Sequence, residues 1–566
     1  MTKILSQPNS VKFDNAMSML ESQAVLFSDR PSRLALVSLD LPQSTKSQIK
    51  VNVWRNHGFE PLEPLVSPYF AFNNLPVSFR VSGYDDSLSF AEHHEAAAEL
   101  LWLDSRRSLE RLDFEDWLGW LEDRIRHLRR LSAAPIIVAT WLENEGFRQR
   151  LSAVLDSFPA VYFADLYGVC MAADVPLIDN RSAALTGTPI SPTAQVILAR
   201  ELACHWLPGV LLPPIKAVAL DLDHTLHSGV LGEDGIQGVK LTDEHSVLQQ
   251  SIKALQQSGI FIALVSRNEQ SDVEALFAQR KDYPLRWEDF SATEVSWGSK
   301  AEAIERIASA LRISTDAVLF VDDNPGELAS VMQKLPQVKV IRAYEDATLT
   351  WRTITYYPGL WRWRIESDDA KRIWDMKANA EREVLAERTD SAAEYFYSLQ
   401  VTLSFRQNPR EQLNRLADLC NKTNQLNLSM RRFSHVELAE RLERADAAVA
   451  SVQLSDRLSD SGVIAVLVAE RQGTCLVVEE LCVSCRAMGR QLEDTILLVA
   501  LRQMPIFAGC EQVAFRVAQG PRNQPALNWL ARLIGMEILP LAGLYTIPSH
   551  QLQSFEPADG VNLIQK

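Results

Sequence analysis

The sequence predicts an α/β multidomain protein, because short apolar runs alternate with helical patterns along 566 residues. A single hydrophobic core rarely grows beyond about 250 to 300 residues, so a chain of this length needs several domains. We place their bounds at 1–210, 211–350, 351–399 and 400–566. The hydrophobic fraction of 47% and the charged fraction of 23% are typical of a globular protein rather than a disordered one.

Charge and cysteine content narrow the class of protein further. The net charge of -15 disfavours nonspecific binding to nucleic acid or to an anionic membrane. The sequence contains no run of 18 apolar residues, so no membrane-spanning helix is predicted. Seven cysteines without a regular spacing favour reduced thiols over structural disulfides. We therefore expect a cytoplasmic protein that binds neither nucleic acid nor membrane.

The first segment, 1–210, shows apolar runs at 34–41, 98–103, 135–140 and 160–164, separated by helical patterns. This alternation predicts a mainly parallel sheet. The segment 208–214 then carries three prolines and a glycine, which is typical of a domain boundary.

The second segment, 211–350, alternates more regularly. Its predicted elements are strand 215–220, helix 243–257, strand 260–265, helices 270–280 and 300–311, and strands 317–321 and 338–342. The pattern predicts a doubly wound parallel sheet, in which ligands bind at the carboxyl ends of the strands.

The rest of the chain is of a different type. Segment 351–399 predicts a helical connector. After it, strand-like runs at 400–405, 462–469 and 475–484 alternate with amphipathic helices near 410–420 and 435–445. This mixture predicts a third, α+β domain.

Polar residues with the chemistry of phosphoryl transfer follow or border strands of the second segment. They are Asp221, Asp223, Ser266, Lys300, Asp322 and Asp323. Phosphoryl transfer needs a nucleophile, an acid for the leaving oxygen, a divalent ion, and cations or donors around the phosphate. Clustered carboxylates repel one another unless a hard cation lies among them, and magnesium prefers oxygen ligands.

This constellation resembles that of the haloacid dehalogenase-like phosphotransferases. The resemblance implies that Asp221 is the nucleophile and that Asp223 acts as general acid and base. It also implies that Ser266 and Lys300 hold the phosphate oxygens. The implied magnesium ligands are Asp221, Asp322 and Asp323, together with Asp223 through its carbonyl.

Three stretches resemble one branch of that superfamily, the FkbH-like glyceryltransferase/phosphatases of polyketide biosynthesis: Gly229–Gly235, Trp297–Lys300 and Asp322–Glu327. This branch usually has asparagine and tryptophan where the present chain has His224 and His227. The resemblance implies transfer of a D-glyceryl group from 1,3-bisphosphoglycerate to the phosphopantetheine thiol of an acyl carrier protein, with removal of phosphate.

The third domain resembles the same family at 421–432 and 484–493. The second stretch is similar to the phosphate-binding loop of acetyltransferase (GNAT)-like domains, which implies a site for the phosphopantetheine arm. Its implied contacts are Arg486, Gly489, Arg490 and Asn523.

Cys485 is a candidate acyl acceptor in this loop. It comes at a strand end beside an arginine and before a helix, where positive potential favours a thiolate. The other interpretation is a buried packing residue, the usual state of cysteine in such a domain. Cys482 and Cys485 also form a Cys-x-x-Cys spacing, but residues three apart in a strand face opposite sides of the sheet, which disfavours a shared metal.

In longer FkbH-like chains the first domain resembles SGNH-type hydrolases, with Ser38 or Ser44 here as the serine near the first strand end. A working esterase of that type needs a late histidine to deprotonate its serine. The corresponding stretch, 179–191, has none. We therefore expect a degenerate, noncatalytic SGNH-like domain.

The resulting hypothesis is an Mg²⁺-dependent transferase that loads a glyceryl group onto an acyl carrier protein and removes phosphate by phosphatase chemistry. A small-metabolite phosphatase fused to an acyl-coenzyme A-dependent acetyltransferase domain is the alternative. A noncatalytic carrier-docking protein is a third hypothesis, which the complete set of phosphatase residues disfavours.

Overall fold

The computed structural model describes residues 8–42, 44, 47–181, 187–365, 367–537 and 542–566. The chain divides into two compact units, Met1–Ile365 and Glu366–Lys566. The boundary between these units falls inside the segment 351–399, for which a helical connector is predicted. Within the described residues, no helix is both long and apolar enough to cross a membrane.

The first unit contains two parallel sheets, and they confirm the α/β prediction. The first sheet comprises β1 (Ile49–Arg55), β2 (Val77–Tyr84), β3 (Ala98–Trp102), β4 (Ile136–Thr140) and β5 (Val161–Asp165). Its strands are all parallel and lie in the order β2-β1-β3-β4-β5. The α-helices of this part are Pro8–Leu26, Arg33–Val37, Glu63–Phe72, Arg106–Leu109, Phe114–Leu131, Glu145–Leu155, Leu166–Ala172, Pro192–Glu201 and Pro208–Leu211.

The apolar run at 34–41 contains a short helix, Arg33–Val37, and no strand. The Ser32 side chain caps it by accepting a hydrogen bond from the Ala35 amide. A short apolar run fits a helix as well as a strand, so the prediction of a strand here was wrong.

This helix changes the position of the two candidate serines. Ser38 and Ser44 both precede β1, so neither lies at the carboxyl end of the first strand as predicted. Residues 182–186 of the late stretch 179–191 lie outside the described residues. The SGNH-like character of this domain stays a prediction.

The interior strand β1 was not predicted because polar residues interrupt its apolar pattern. Asn52 is buried in it and donates to the Glu99 carboxylate at 3.2 Å and to the His94 carbonyl at 2.7 Å. Trp54 donates from Nε1 to the same carboxylate at 2.8 Å. Buried polar groups are tolerated when they are hydrogen-bonded to one another, and a linear pattern does not show such partners.

The second sheet comprises β6 (Ala217–Leu220), β7 (Phe261–Ser266), β8 (Ala292–Val295), β9 (Val318–Asp322) and β10 (Lys339–Arg342). Its strands are all parallel and lie in the order β10-β9-β6-β7-β8. Four of the five match the predicted strands, and β8 was not predicted. The α-helices of this part are Leu231–Gly238, Asp243–Gln257, Gln270–Gln279, Lys300–Ala310, Pro325–Lys334 and Ala347–Thr355.

The two sheets of the first unit share one hydrophobic core. A continuous cluster of buried side chains runs from Val51 of β1 through Leu207 and Ile215 to Val218 of β6. The proline-rich segment 208–214 therefore runs beside a shared core.

The second unit is built on a mixed sheet. It comprises β11 (Thr402–Gln407), β12 (Leu426–Asn427), β13 (Ala447–Ser455), β14 (Asp460–Gln472), β15 (Cys475–Val483), β16 (Gln512–Val517), β17 (Gly543–Pro548) and β18 (Asn562–Gln565). The order is β17-β16-β15-β14-β13-β11-β18, with β12 beside β15. Its α-helices are Ser367–Arg388, Ala392–Leu399, Leu413–Lys422, His435–Glu443, Glu493–Arg502, Gln524–Ile534 and His550–Gln553.

Candidate active site

The second sheet brings its polar residues together at one edge. The chain connects β6 to β7 and β8 on one side and returns to β9 and β10 on the other. The connections therefore reverse direction between β6 and β9, and ligands of open α/β sheets bind at the carboxyl ends beside such a switch point. Asp221 directly follows β6 and donates its amide to the Val321 carbonyl of β9 at 2.9 Å, while Asp322 ends β9.

Lys300 bridges the two switch-point carboxylates. Its Nζ lies 2.8 Å from Asp221 Oδ1 and 2.6 Å from Asp322 Oδ2, and all three residues are buried. Burial raises the pKa of Asp221 to about 7, although the Lys300 charge opposes that shift. Burial also raises the pKa of Asp322. Without the lysine, two carboxylates would share a buried site with no positive charge between them.

A third carboxylate, that of Asp323, completes a cluster with the chemistry of a magnesium site. One carboxylate oxygen each from Asp221, Asp322 and Asp323 lie within 4.8 Å of one another. Burial raises the pKa of Asp323 as well. Three converging carboxylates fit a hard divalent cation, which takes oxygen ligands. The Asp223 carboxylate is not a member of this cluster.

Asp223 is instead held by hydrogen-bond donors on both of its oxygens. Oδ1 accepts from the Leu231 amide at 2.9 Å and lies 3.2 Å from His227 Nε2. Oδ2 accepts from Asn268 Nδ2 at 2.7 Å. Burial by itself would raise the pKa of Asp223, but the donors, with His227 the largest contributor, hold it below its usual value. The structure therefore separates the two aspartates of Asp221-x-Asp223 into different environments.

Ser266 and Asn268 close the site on the side of β7. Asn268 Nδ2 lies 2.9 Å from Ser266 Oγ, so one amide group contacts both this hydroxyl and Asp223. Both residues are buried. Asn268 was not among the predicted site residues. Its signal in the sequence is position alone, since it is a polar residue two places beyond a strand end.

Two ion-paired or hydrogen-bonded side-chain pairs border the same edge. Trp297 is exposed over 68% of its surface and donates from Nε1 to Glu269 at 2.8 Å. Arg267 pairs with Glu327 at 2.8 Å. Arg267, Glu269 and Trp297 are close in sequence to Asn268 and Lys300, and Glu327 lies in the first turn of the helix Pro325–Lys334.

The loop predicted to bind phosphopantetheine lies in the second unit, between β15 and the helix Glu493–Arg502. Cys485 is half-buried and lies two residues beyond the end of β15. Cys482, in β15, is fully buried beside Cys420, and burial raises the pKa of its thiol well above the usual value. The more accessible of the two thiols is therefore that of Cys485.

The arginines of this loop are engaged by acceptors of the same unit. Arg486 is buried and donates from Nη1 to the Ser461 carbonyl at 2.6 Å. Burial lowers the pKa of Arg486 to about 9. Arg490 pairs with Asp375 at 3.0 Å and with Asp456 at 3.2 Å. In this arrangement both guanidinium groups stabilise the loop, and their role toward a carrier stays a prediction.

The two remaining predicted contacts have local structural roles. Gly489 adopts a positive φ of 74°, and its amide donates to Glu493 at 2.9 Å. Asn523 is fully buried and donates to the carbonyls of Asn427 and Ala518 at 3.0 and 2.8 Å. Asn523 thus joins two loops, and the structure does not present its side chain to solvent.

The strand before this loop, β15, pairs with one strand at its start and with another at its end. β15 pairs with β16 in parallel only over Cys475–Val478, while β12 pairs with its other end at Cys482 and Val483. In between, Glu480 is buried and accepts from Ser429 Oγ at 2.8 Å. The edge of β15 toward the loop is therefore covered by β12.

Comparison with protein-family models finds no match, and comparison with curated proteins finds none. Among solved structures, the N-terminal part of a Bacteroides fragilis protein, with a phosphatase domain complexed with Mg, shares 18% identity at a TM-score of 0.44. That similarity covers 60% of this chain and 99% of the other.

Two acetyltransferase structures are also similar to parts of the chain. Nourseothricin acetyltransferase shares 18% identity over 19% of this chain and 66% of its own, at a TM-score of 0.14. A GCN5-related glucosamine N-acetyltransferase region of a fungal β-N-acetylglucosaminidase shares 10% identity, at a TM-score of 0.18. It covers 92% of this chain and 67% of the other. At these TM-scores the similarities assign neither a family nor an activity.

Proposed function

We propose that the second sheet catalyses Mg²⁺-dependent phosphoryl transfer from a phosphate ester through an aspartyl-phosphate on Asp221. The observation that carries this proposal is the buried Lys300 bridge between Asp221 and Asp322 at the switch point. Together with Asp323, these residues provide a nucleophile in Asp221, a fixed positive charge in Lys300, and carboxylate oxygens that can bind a divalent ion.

In the first half of the reaction, a carboxylate oxygen of Asp221 attacks phosphorus and the bond from phosphorus to the leaving oxygen breaks. The negative charge of the bound phosphate ester favours the protonated form of Asp223. Asp223 then gives its proton to the leaving oxygen, and the alcohol leaves. Ser266 and Asn268 supply donors near the phosphate, and Lys300 offsets its charge. Mg²⁺, held by Asp221, Asp322 and Asp323, would neutralise charge on the phosphate oxygens.

In the second half, water attacks the phosphorus of the aspartyl-phosphate and the bond to the Asp221 oxygen breaks. Asp223, now unprotonated, takes the proton from the water. Free Asp221 and inorganic phosphate result. His227, Asn268 and the Leu231 amide keep Asp223 in place in both halves.

The finer proposal is that the phosphate ester is the 3-phosphate of a phosphoglyceryl group, and that this chain transfers the glyceryl group to an acyl carrier protein. It rests on the resemblance to FkbH-like enzymes and on the accessible Cys485. The Cys485 thiolate would attack C1 of 1,3-bisphosphoglycerate, and the bond to the acyl phosphate would break with release of phosphate. The phosphopantetheine thiol would then attack the thioester and free Cys485, while the 3-phosphate is removed at Asp221.

The alternative is a small-metabolite phosphatase joined to an acyl-coenzyme A-dependent acetyltransferase domain. The engaged arginines Arg486 and Arg490 bear equally on both proposals, because the phosphates of coenzyme A and of phosphopantetheine would meet the same loop. Under the alternative, Cys485 has no covalent role, and the acyl group comes from coenzyme A.

One variant tests the phosphoryl-transfer proposal. Asp221→Asn removes the nucleophile, so we expect the rate of hydrolysis of an aryl phosphate to fall at least about 10³-fold. The matched control is Asp272→Asn, an exposed aspartate on the helix Gln270–Gln279, which should retain the rate. A normal rate in Asp221→Asn would remove this residue from the mechanism.

Intact-mass spectrometry of a phosphopantetheine-bearing carrier separates the two finer proposals. With Mg²⁺ and 1,3-bisphosphoglycerate, the carrier should gain one glyceryl group, and Cys485→Ser should abolish the gain. Cys475→Ser, a half-buried cysteine of β15, is the control. No gain with the unmodified protein, alongside normal aryl phosphate hydrolysis, would favour the acetyltransferase alternative.

A further inference from the structure

The first sheet has a switch point of its own, and chemistry-bearing residues converge on it. The chain runs from β1 to β2 on one side of it and then crosses back to β3, β4 and β5 on the other side. The direction in which strands are added to the sheet therefore reverses between β1 and β3. His57 follows β1, Trp102 ends β3, and Trp141 follows β4. This is the position at which an open α/β sheet binds a ligand.

Three buried nitrogen atoms at this switch point have no protein partner. They are Nε2 of His57 and Nε1 of Trp102 and Trp141, each without a hydrogen bond within the part of the chain that the structure describes. The His57 ring centroid lies 5.5 Å from that of Trp102 and 5.4 Å from that of Trp141. The exposed fraction of each residue is 2% or less.

Leaving such groups unsatisfied is costly. An unsatisfied buried donor has lost its hydrogen bonds to water without gaining one in the protein, and here three such groups lie in one cluster. Trp54, another buried indole of the same sheet, does have a partner, since it donates to Glu99 at 2.8 Å. The sheet therefore satisfies an indole where no ligand is expected and leaves two unsatisfied at the switch point.

Arginine charge surrounds the cluster. Burial, together with the charges of Arg107, Arg106 and Arg55, lowers the pKa of His57 to about 3, so its ring is neutral. The Arg106 guanidinium lies over the Trp141 ring at 5.4 Å. Each arginine also has a carboxylate neighbour, which is Asp86 for Arg107, Asp104 for Arg106 and Glu60 for Arg55.

The cluster offers donors to an acceptor. Both indole N–H groups can only donate, and a neutral imidazole accepts or donates according to its tautomer. His57 Nδ1 lies 2.9 Å from Thr188 Oγ1, and if that hydroxyl donates, Nε2 carries the proton and is a third donor. A group with several oxygen lone pairs can accept from donors of this kind, and a nearby guanidinium favours it further if it is charged.

The hydroxyls at the same edge are committed elsewhere. Ser105 Oγ donates to the Trp141 carbonyl, and Thr140 Oγ1 donates to the Leu103 carbonyl at 2.9 Å. Neither is free to act as a nucleophile in this arrangement. The site is thus suited to holding a ligand.

We propose that this switch point is a binding site for a small molecule with a carboxylate or phosphate group, whose oxygens accept from Trp102, Trp141 and His57. The site is independent of the proposed phosphoryl transfer, because it uses no residue of the second sheet. A ligand there would be enclosed by the two indoles, with Arg106 and Arg107 at the more exposed rim.

Fluorine NMR of the full chain labelled with 5-fluorotryptophan tests the proposal. The Asp221→Asn variant without Mg²⁺ serves as background, so that phosphate binding at the second sheet is suppressed. Substitution of Trp102, Trp141 or Trp54 by phenylalanine assigns the three signals. Inorganic phosphate and acetate are then titrated separately at constant ionic strength.

We expect at least one of the two probes to shift the Trp102 and Trp141 signals saturably and to leave the Trp54 signal unchanged. The more effective probe distinguishes a phosphate from a carboxylate ligand. A cluster that holds only water would give no saturable shift with either probe, and that result would overturn the proposal. Equal shifts at Trp54 would overturn it as well.

Two further variants keep the test valid if one of them folds poorly. His57→Gln and Arg106→Gln should each weaken the probe's apparent affinity at least tenfold. In a chain that retains Asp221, the same substitutions should leave aryl phosphate hydrolysis within twofold, which reports an intact fold. Unchanged probe affinity in both variants would contradict the assignment of the site.

Discussion

The two parallel sheets of the first unit have switch points at equivalent positions, but carboxylates and a lysine lie at one and an imidazole and indoles at the other. At the second sheet, Asp221 and Asp322 meet across β6 and β9, and Lys300 lies between them. At the first sheet, His57 and Trp102 meet across β1 and β3. The comparison shows that topology decides where a site can form, while the residues after each strand decide what it can bind.

The two switch points also differ in how completely their polar groups are satisfied. In the second sheet, the protein itself supplies a partner for Asp223 on both oxygens and for Lys300 on both sides. Two neighbouring buried atoms of that site, His227 Nδ1 and Thr225 Oγ1, have no partner among the described residues. In the first sheet, three buried nitrogens have no partner among the described residues. Fixed partners on the carboxylate and the lysine suit chemistry that needs a set geometry, and unpartnered donors suit capture of a ligand.

The largest effect is expected at Lys300. Lys300→Met leaves two buried carboxylates without their cation, so we expect about 3 to 5 kcal/mol lower stability to urea unfolding. Aryl phosphate hydrolysis should fall about 10²- to 10³-fold, since a fixed positive group at the phosphate is lost. Lys253→Met is the control, because Lys253 pairs with Asp289 near the surface. If Lys300→Met changed neither property, the bridge would have no role in the site.

A smaller effect is expected at Asn268, which we infer to be a positioning residue. Asn268→Ala frees one oxygen of Asp223, so hydrolysis should fall roughly 10- to 100-fold, mainly in kcat. Alkyl phosphates should lose more than aryl phosphates, because poor leaving groups depend more on proton donation by Asp223. The exposed Gln270→Ala serves as control. Equal losses for both substrates would place the role of Asn268 outside proton transfer.

The smallest effect is expected at His57 and appears as a pH dependence of stability. Its folded pKa of about 3 is below the unfolded value of 6.5, so the unfolded chain binds the proton first. The contribution of His57 to the free energy of unfolding is therefore fully present above pH 6.5 and is lost as the pH falls toward 3.

Between pH 7 and pH 5 the loss from this one group is about 2 kcal/mol. His57→Gln should reduce the pH dependence of urea unfolding by that amount. His94→Gln, at an exposed histidine, should not. The same slope in wild type and His57→Gln would show that His57 binds a proton equally well in the folded and the unfolded protein, which would contradict a neutral ring at this switch point.

Local pattern predicted the second sheet well and the first sheet poorly, for a physical reason. Strands of a parallel sheet that are buried on both faces are continuous apolar runs, and β6, β7 and β9 are of this type. β1 departs from that pattern at Asn52, whose partner Glu99 lies 47 residues away. A polar residue with a distant partner cannot be recognised as buried from its neighbours alone.

The sequence alone determined which residues follow the strands of the second sheet, and hence the carboxylates, serine and lysine that a phosphoryl-transfer site needs. Tertiary structure decided the rest. It brought Asn268 to Asp223, engaged Arg490 with Asp375 and Asp456, and left Trp102 Nε1 without a partner among the described residues. Each of these depends on contacts between residues far apart in the chain, which hydrophobic periodicity does not encode.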